Sequence, residues 1–170
     1  MSDKKLYLLD GMALVYRGHF ALLRNPPMTT QGMNTAAPFT VANLLLSLLD
    51  KVQPSHLAVA FDTPEPTFRH KEYSEYKAQR ESMPEELSTA LPYVFRLFEG
   101  FNVPILRMPG WEADDVIGTL AKRAEAQGID TYMVTPDKDY GQLVSGHIFI
   151  AKPGGASDQM EVLGVDEVLG

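Results

Sequence analysis

The amino-acid sequence predicts a three-layer α/β/α fold, with a mostly parallel sheet and helices on both of its faces. Short apolar runs alternate along the chain with longer segments whose apolar residues recur at helical spacing. Such alternation favours right-handed crossovers between parallel strands. The chain has 170 residues, of which 45% are hydrophobic, and this is enough to bury a substantial core. We therefore expect one main domain.

The first elements follow this alternation closely. Residues 6–9 form an apolar run that is too short for a helix, and they are predicted to be a buried strand that ends at Asp10. Helical patterns follow at residues 12–23 and 39–52, with a loop rich in proline and glycine between them. A second strand is predicted at residues 56–61, because two prolines beyond Asp62 forbid regular structure there.

The middle of the chain has a different character. Residues 67–80 are polar, aromatic and basic, without an apolar stripe that could pack in a core, so this segment is expected to project from the body. The sequence Ser82-Met-Pro-Glu85 resembles a capping box and predicts a helix that runs to about Gly100.

Shorter elements are predicted for the rest of the chain. They are, in order, a strand at 103–106, a helix from 112 that stops at Gly128, a strand at 131–134, a short helix at 140–144, a strand at 147–150, a turn at 152–158, an edge strand at 159–163 and the start of a helix near 164. Met108, Trp111 and Met133 are expected in the core.

The composition limits the chemistry that the chain can carry. It contains no cysteine, so a bound metal must rest on oxygen or histidine ligands, and the four histidines show no metal-ligand spacing. No segment approaches the roughly 20 apolar residues of a membrane span, and the N-terminus is a poor signal peptide. We therefore expect a cytoplasmic protein without a membrane partner.

Acidic residues gather where the predicted strands end. The carboxyl ends of parallel strands lie on one edge of a sheet, and ligands bind outside that edge. Close carboxylates repel each other, and hard divalent cations such as Mg²⁺ relieve that repulsion. Two such ions about 4 Å apart can activate water and stabilise a leaving oxygen. The predicted metal-site acids are Asp10, Asp62, Glu112, Asp114, Asp115, Asp137 and Asp139.

Each acidic group alone has a simpler interpretation. A single Asp after a strand is commonly a helix cap or a turn residue, acids that open a helix complement its dipole, and acids in a loop are commonly solvated. These interpretations do not explain why all the groups fall at the same predicted edge, so together they favour a metal site.

A basic strip lies within the segment that is expected to project. Arg69 and Lys71 flank His70, and Tyr76, Lys77 and Arg80 follow. Cations suit phosphate oxygens, and a tyrosine ring can stack on an unpaired base for about 1–3 kcal/mol. Taken alone, the net charge of −7 argues against nucleic-acid binding. This objection does not hold if the acids are collected at a metal site, where the cation offsets their charge. The alternative is an exposed helix whose own glutamates form ion pairs with these lysine and arginine side chains.

Taken together, the motifs resemble the 5′→3′ exonuclease domain of bacterial DNA polymerase I, within the flap endonuclease family and its PIN-like fold. The resemblance covers essentially the whole chain. The motifs that carry it are Leu-Leu-Asp10-Gly, Phe-Asp62, Thr-Phe-Arg69, Tyr76-Lys77-x-x-Arg80, Met-Pro-Glu-Glu-Leu, Glu112-Ala-Asp-Asp-Val-Ile-Gly-Thr-Leu and Asp137-Lys-Asp139 followed by Gln-Leu-Val.

The resemblance implies a nuclease that removes 5′ flaps and RNA primers during DNA replication and repair, with two Mg²⁺ or Mn²⁺ ions. It assigns the seven acids to the metal site and implies catalytic roles for Asp10, Asp115, Lys77 and Arg80. It assigns Arg69, Tyr76, Lys77 and Arg80 to DNA binding. The partners implied are DNA with a 5′ flap or nick and an RNA primer–DNA hybrid.

The resemblance also implies a domain organisation. Residues 1–163 would form the PIN-like domain, residues 64–83 its projecting helical arch, and residues 164–170 the start of a truncated helix-hairpin-helix region, with a polymerase expected beyond it. We expect this chain alone to bind metal weakly and to have little nuclease activity. A PIN-type single-stranded ribonuclease and a non-catalytic DNA-binding fragment are the alternatives.

Overall fold

A six-stranded sheet forms the centre of the molecule in the computed structural model, which describes residues 3–72, 82–154 and 160–170. The strand order is β3-β2-β1-β4-β5-β6. Pairing is parallel from β3 through β5, and β6 adds to β5 as an antiparallel edge. The strands are β1 (Lys5–Asp10), β2 (His56–Ala60), β3 (Ile105–Leu106), β4 (Asp130–Val134), β5 (Ile148–Lys152) and β6 (Glu161–Leu163). The predicted mostly parallel sheet is confirmed.

Helices cover both faces of this sheet. They are α1 (Gly11–Ala21), α2 (Ala36–Ser47), α3 (Phe68–Glu72), α4 (Glu85–Gly100), α5 (Ala113–Ala126) and α6 (Val165–Leu169), with a π-helical turn at Leu48–Val52 and a 3₁₀ helix at Lys138–Leu143. Tyr7 and Leu9 of β1 pack towards α1, α2 and α4, whereas Leu8 packs towards α5. Because successive side chains of a strand point to opposite faces, a strand buried on both sides must be apolar throughout.

The predicted capping box is wrong. Helix α4 begins at Glu85, with Pro84 as its N-cap residue in an extended conformation (ψ 139°). A helix capped by Ser82 would need Met83 in the helical region, and that region is disfavoured immediately before a proline.

Two predicted core residues lie at the surface instead. Trp111 is 48% exposed and Met108 is 53% exposed, whereas Met133 is fully buried as expected. Both exposed residues belong to the turn before α5, where the Trp111 N–H donates to the Met108 carbonyl and Gly110 adopts a φ of +87°. The prediction failed because hydrophobicity indicates a tendency to be buried, whereas this turn runs outside the end of β3.

The segment that was predicted to project begins against the body. Thr67 is buried, and α3 starts directly after it. The part of this segment from residue 73 to residue 81 lies outside the described residues, and so do the predicted Tyr76, Lys77 and Arg80. None of the helices in the described ranges is long and apolar enough to cross a membrane.

Candidate metal centre

A cavity of about 420 Å³ opens at the carboxyl edge of the parallel strands. Its volume suits cations that keep several of their waters, since one water takes about 30 Å³. The carboxylates that line it come from four separate stretches of the chain, as expected for strands that run parallel. They are Asp10, Asp62, Glu112, Asp114 and Asp137.

The other two predicted acids lie beside this group. One carboxylate oxygen each of Glu112, Asp114 and Asp115 fall within 4.8 Å of one another, which is close enough to hold one ion. Asp139 is exposed, and its backbone N–H donates to the Asp137 carboxylate at 2.9 Å. The structure therefore brings five acids to one cavity and places Asp115 and Asp139 next to members of that group.

Asp10 is the most constrained of these carboxylates. It ends β1 and is only 8% exposed. The Thr135 hydroxyl donates to its Oδ2 at 3.1 Å, and Ala13 and Tyr140 line the cavity beside it. Burial raises the pKa of Asp10 to about 6, the hydrogen bond from Thr135 opposes that rise, and the nearby Asp62 adds to it.

The N-terminus of α5 organises a second part of the site. Asp62 accepts a hydrogen bond from the Ala113 N–H at 2.7 Å, so the chain after β2 is tied to the first turn of α5. The Glu112 N–H donates to Asp115 at 3.0 Å, which satisfies another amide at this helix start. Asp115 therefore stabilises the start of α5, and this role is compatible with its placement beside the cavity.

Arg69 lies against the acids at the start of α5. Its guanidinium donates to both oxygens of Asp115 at 2.9 Å and to Glu112 at 3.2 Å. Such a two-pronged contact is the geometry that a guanidinium prefers with a carboxylate. Arg69 was predicted as a DNA-contacting residue, and the described structure places it as a counter-ion of two predicted metal-site acids.

One arginine leaves the cluster rich in negative charge. Burial raises the pKa of Asp114, the neighbouring Asp115 and Glu112 raise it further, and Arg69 opposes them. Groups of this kind, with oxygen ligands and an excess of negative charge, suit a hard divalent cation.

The chain that follows β4 contains two residues of the cavity region that the sequence analysis missed. Thr135 is fully buried, and its hydroxyl joins Asp10 to the Asp137 N–H, which donates to it at 3.1 Å. Tyr140 is 4% exposed and lines the cavity from the 3₁₀ helix. A hydroxyl directly after the apolar run of β4, and an aromatic residue three positions after Asp137, were the available signals.

Comparison with known proteins agrees with this geometry. The family model of the 5′-3′ exonuclease, N-terminal resolvase-like domain, matches residues 5–170. A 5′-3′ exonuclease of Aquifex aeolicus is 40% identical over 151 residues, which are 88% of this chain and 51% of that protein. DNA polymerase I of Pseudomonas aeruginosa is 42% identical over 171 residues, 100% of this chain and 18% of that protein. The chain therefore spans about half of one relative and a much smaller part of the other.

The same fold occurs in solved structures. The T5 D15 protein, co-crystallised with metal ions, superposes with a TM-score of 0.70 over 95% of this chain and 58% of its own, at 17% sequence identity. At this identity, the likeness shows a shared fold.

Proposed function

The chain belongs to the family of 5′-3′ exonuclease N-terminal, resolvase-like domains, and we propose that it is the metal-binding part of a 5′→3′ exonuclease or flap endonuclease. The observation that carries the proposal is the meeting of Asp10, Asp62, Glu112, Asp114 and Asp137 around one cavity. Relatives that are named 5′-3′ exonuclease and DNA polymerase I support it.

The proposed metal site uses the seven predicted acids. The carboxylates suit Mg²⁺ or Mn²⁺, because the site offers oxygen donors and its acids repel one another. Bound in such a site, two ions supply an activated water and a stabilised leaving oxygen for the displacement at a phosphodiester. Thr135 and the N-terminus of α5 fix the directions of Asp10 and Asp62 towards the cavity.

The substrate and partners are also proposals. We assign phosphate contacts to Lys77 and Arg80, and base stacking to Tyr76. We also assign a DNA contact to Arg69, which becomes available when a bound metal replaces its guanidinium as the partner of Glu112 and Asp115. The substrates are DNA with a 5′ flap or nick and RNA primers paired to DNA. The protein acts in the cytoplasm, and a helix-hairpin-helix region and a polymerase belong to the full protein.

Cleavage of a 5′-labelled flap DNA by the full protein that carries this chain, with Mn²⁺, tests this function. Asp10→Asn and Asp137→Asn are each expected to lower kcat by about 100-fold or more, since each removes a proposed metal ligand. Asp50→Asn is the matched control, because Asp50 is an exposed acid outside the cavity. Failure of a folded full protein to cleave, or equal rates in all four proteins, would refute the assignment.

The same assay separates the alternatives. Efficient cleavage of single-stranded RNA in preference to flap DNA would indicate a PIN-type ribonuclease. Metal-independent flap binding without cleavage, unchanged in Asp10→Asn, would indicate a non-catalytic DNA-binding role. We expect this chain by itself to bind the metal and to cleave poorly.

A further inference from the structure

A turn with two exposed apolar side chains lies beside the acidic cavity. The turn connects β3 to α5, and it carries Met108, which is 53% exposed, and Trp111, which is 48% exposed. Trp111 directly precedes Glu112, which lines the cavity, so the Cα atoms of these two residues are about 3.8 Å apart. Large apolar side chains that share an exposed surface commonly mark a binding site. The turn therefore places an apolar surface at the rim of the proposed metal centre.

The backbone of this turn is held in place along its length. Before the turn, β3 pairs with β2 in the sheet. Within it, the Trp111 N–H donates to the Met108 carbonyl at 3.1 Å. After it, the Glu112 N–H donates to Asp115 at 3.0 Å. Because the backbone is already ordered, a ligand that binds the exposed indole ring loses little affinity to the ordering of the turn.

The side chains of the turn suit a nucleotide. Trp111 offers a flat aromatic face, and removal of a ring that stacks on an unpaired base typically weakens binding by about 5- to 100-fold. Arg107 is exposed in the same turn, and its guanidinium lies 4.1 Å from the centre of the Phe95 ring. A cation at this position favours a phosphate backbone nearby. The turn thus combines an aromatic face for a base with a positive charge for a phosphate.

We propose that Trp111 stacks on an unpaired nucleobase of the DNA strand whose phosphodiester lies at the acidic cavity. This inference rests on the proposed nuclease function and adds a base-binding residue to it. The base of a nucleotide is one sugar away from its phosphate, so a platform next to Glu112 is within its reach. Every base has an aromatic face, and Trp111 therefore contributes affinity for an unpaired strand without selecting its sequence.

Equilibrium binding of dye-labelled 5′-flap DNA to the full protein tests the proposal, with Ca²⁺ as a hard cation for the oxygen ligands. Trp111→Ala is expected to weaken binding by about 10-fold, whereas Trp111→Phe, which keeps an aromatic face, should lose at most about 3-fold. Val162→Ala is the matched control, because Val162 is 45% exposed and lies on β6, at the opposite edge of the sheet from β3. Its affinity should stay within about 2-fold of the wild type. Thermal unfolding verifies that the variants are folded.

Flap DNAs that each carry one abasic nucleotide show whether Trp111 acts through a base. At one position in the unpaired strand, loss of the base should weaken binding of the wild type by about 10-fold. The same loss should change binding of Trp111→Ala by less than about 2-fold. Equal binding of intact flap DNA by wild type and Trp111→Ala would overturn the proposal, and so would a loss in Trp111→Ala that is the same for every abasic DNA. A folded wild type that neither binds nor cleaves flap DNA would refute the proposed function itself, which is a different result.

The fluorescence of Trp111 supplies a second measurement that needs no variant. Trp111 is the only tryptophan among the 170 residues, so the tryptophan emission of this chain reports on that ring alone. Single-stranded DNA, added until its binding is saturated, should quench this emission. A strand of abasic nucleotides that is bound to the same extent should leave the emission unchanged. Equal emission with both strands would overturn the proposal.

Discussion

Asp10→Asn should change the pH dependence of stability of the metal-free protein. Burial raises the pKa of Asp10 to about 6 in the folded chain, against 3.8 for the unfolded side chain. The folded state therefore binds this proton more tightly than the unfolded state. A carboxyl of this kind favours folding when it is protonated, below about pH 4, and disfavours it progressively as the pH rises through 6.

The size of the effect follows from the shift. One pKa unit corresponds to about 1.4 kcal/mol, so ionised Asp10 should lower the free energy of unfolding by about 3 kcal/mol at pH 8 relative to pH 4. Asparagine carries no charge and keeps an oxygen that can accept from Thr135. The stability of Asp10→Asn minus that of the wild type should therefore rise by about 3 kcal/mol between pH 4 and pH 8.

Urea unfolding of both proteins in EDTA, at intervals from pH 4 to pH 8, measures this difference. Asp50→Asn should show a nearly constant difference from the wild type, because Asp50 is exposed. With added Mn²⁺ at pH 8, the wild type should instead be more stable than Asp10→Asn, since the ion stabilises ionised Asp10 and binds asparagine more weakly. If the difference in unfolding free energy between Asp10→Asn and the wild type does not change with pH in EDTA, burial does not raise the pKa of Asp10 and the reasoning is refuted.

Two further substitutions test other parts of the structure. Arg69→Met should lower the free energy of unfolding of the metal-free protein by about 1–3 kcal/mol, because two acids lose a charged partner. It should also tighten Mn²⁺ binding by roughly tenfold, about 1.4 kcal/mol. Calorimetry measures both effects, with Arg96→Met at an exposed arginine as the control, and equal behaviour of the two variants would contradict the prediction. Gly18→Ala should lower the free energy of unfolding, measured in urea, by about 1–3 kcal/mol, because the added Cβ would overlap the Thr40 side chain of α2. Gly146→Ala is the control and should be almost neutral, because a Cβ at Gly146 meets open space. Equal losses of stability in the two variants would refute the predicted overlap.

The convergence of the acids could be predicted from sequence because it depends on topology alone. Once short apolar runs alternate with helices, parallel pairing carries the ends of β1, β2 and β4 to one edge. The side-chain partners inside the site depend on finer geometry. The hydrogen bond from Thr135 to Asp10 joins residues far apart in the chain, and no periodic pattern indicates it.

The errors have local causes. A four-residue motif predicted Ser82 as a helix cap, and one proline inside that motif moved the helix start to Glu85. For Arg69, the predicted DNA contact stays a prediction, and what the sequence analysis missed is its ion pair with Glu112 and Asp115. The sequence pattern did not reveal that Thr67 is buried and that α3 therefore begins close enough to α5 for an ion pair.

The role of the acids at the start of α5 and their proposed role as metal ligands are compatible with each other. The backbone N–H groups of Ala113 and Glu112 donate to Asp62 and Asp115, Arg69 pairs with Asp115, and the Thr135 hydroxyl donates to Asp10. These contacts allow a concentrated set of carboxylates to fold before a cation arrives. A cation that binds to these acids must displace Arg69 or share Asp115 with it. Breaking the ion pair of Arg69 costs free energy, and this weakens the net binding of the cation. If the proposed metal site is correct, its affinity depends on α3 as well as on the acids, and a displaced Arg69 becomes available for the DNA contact that we propose for it.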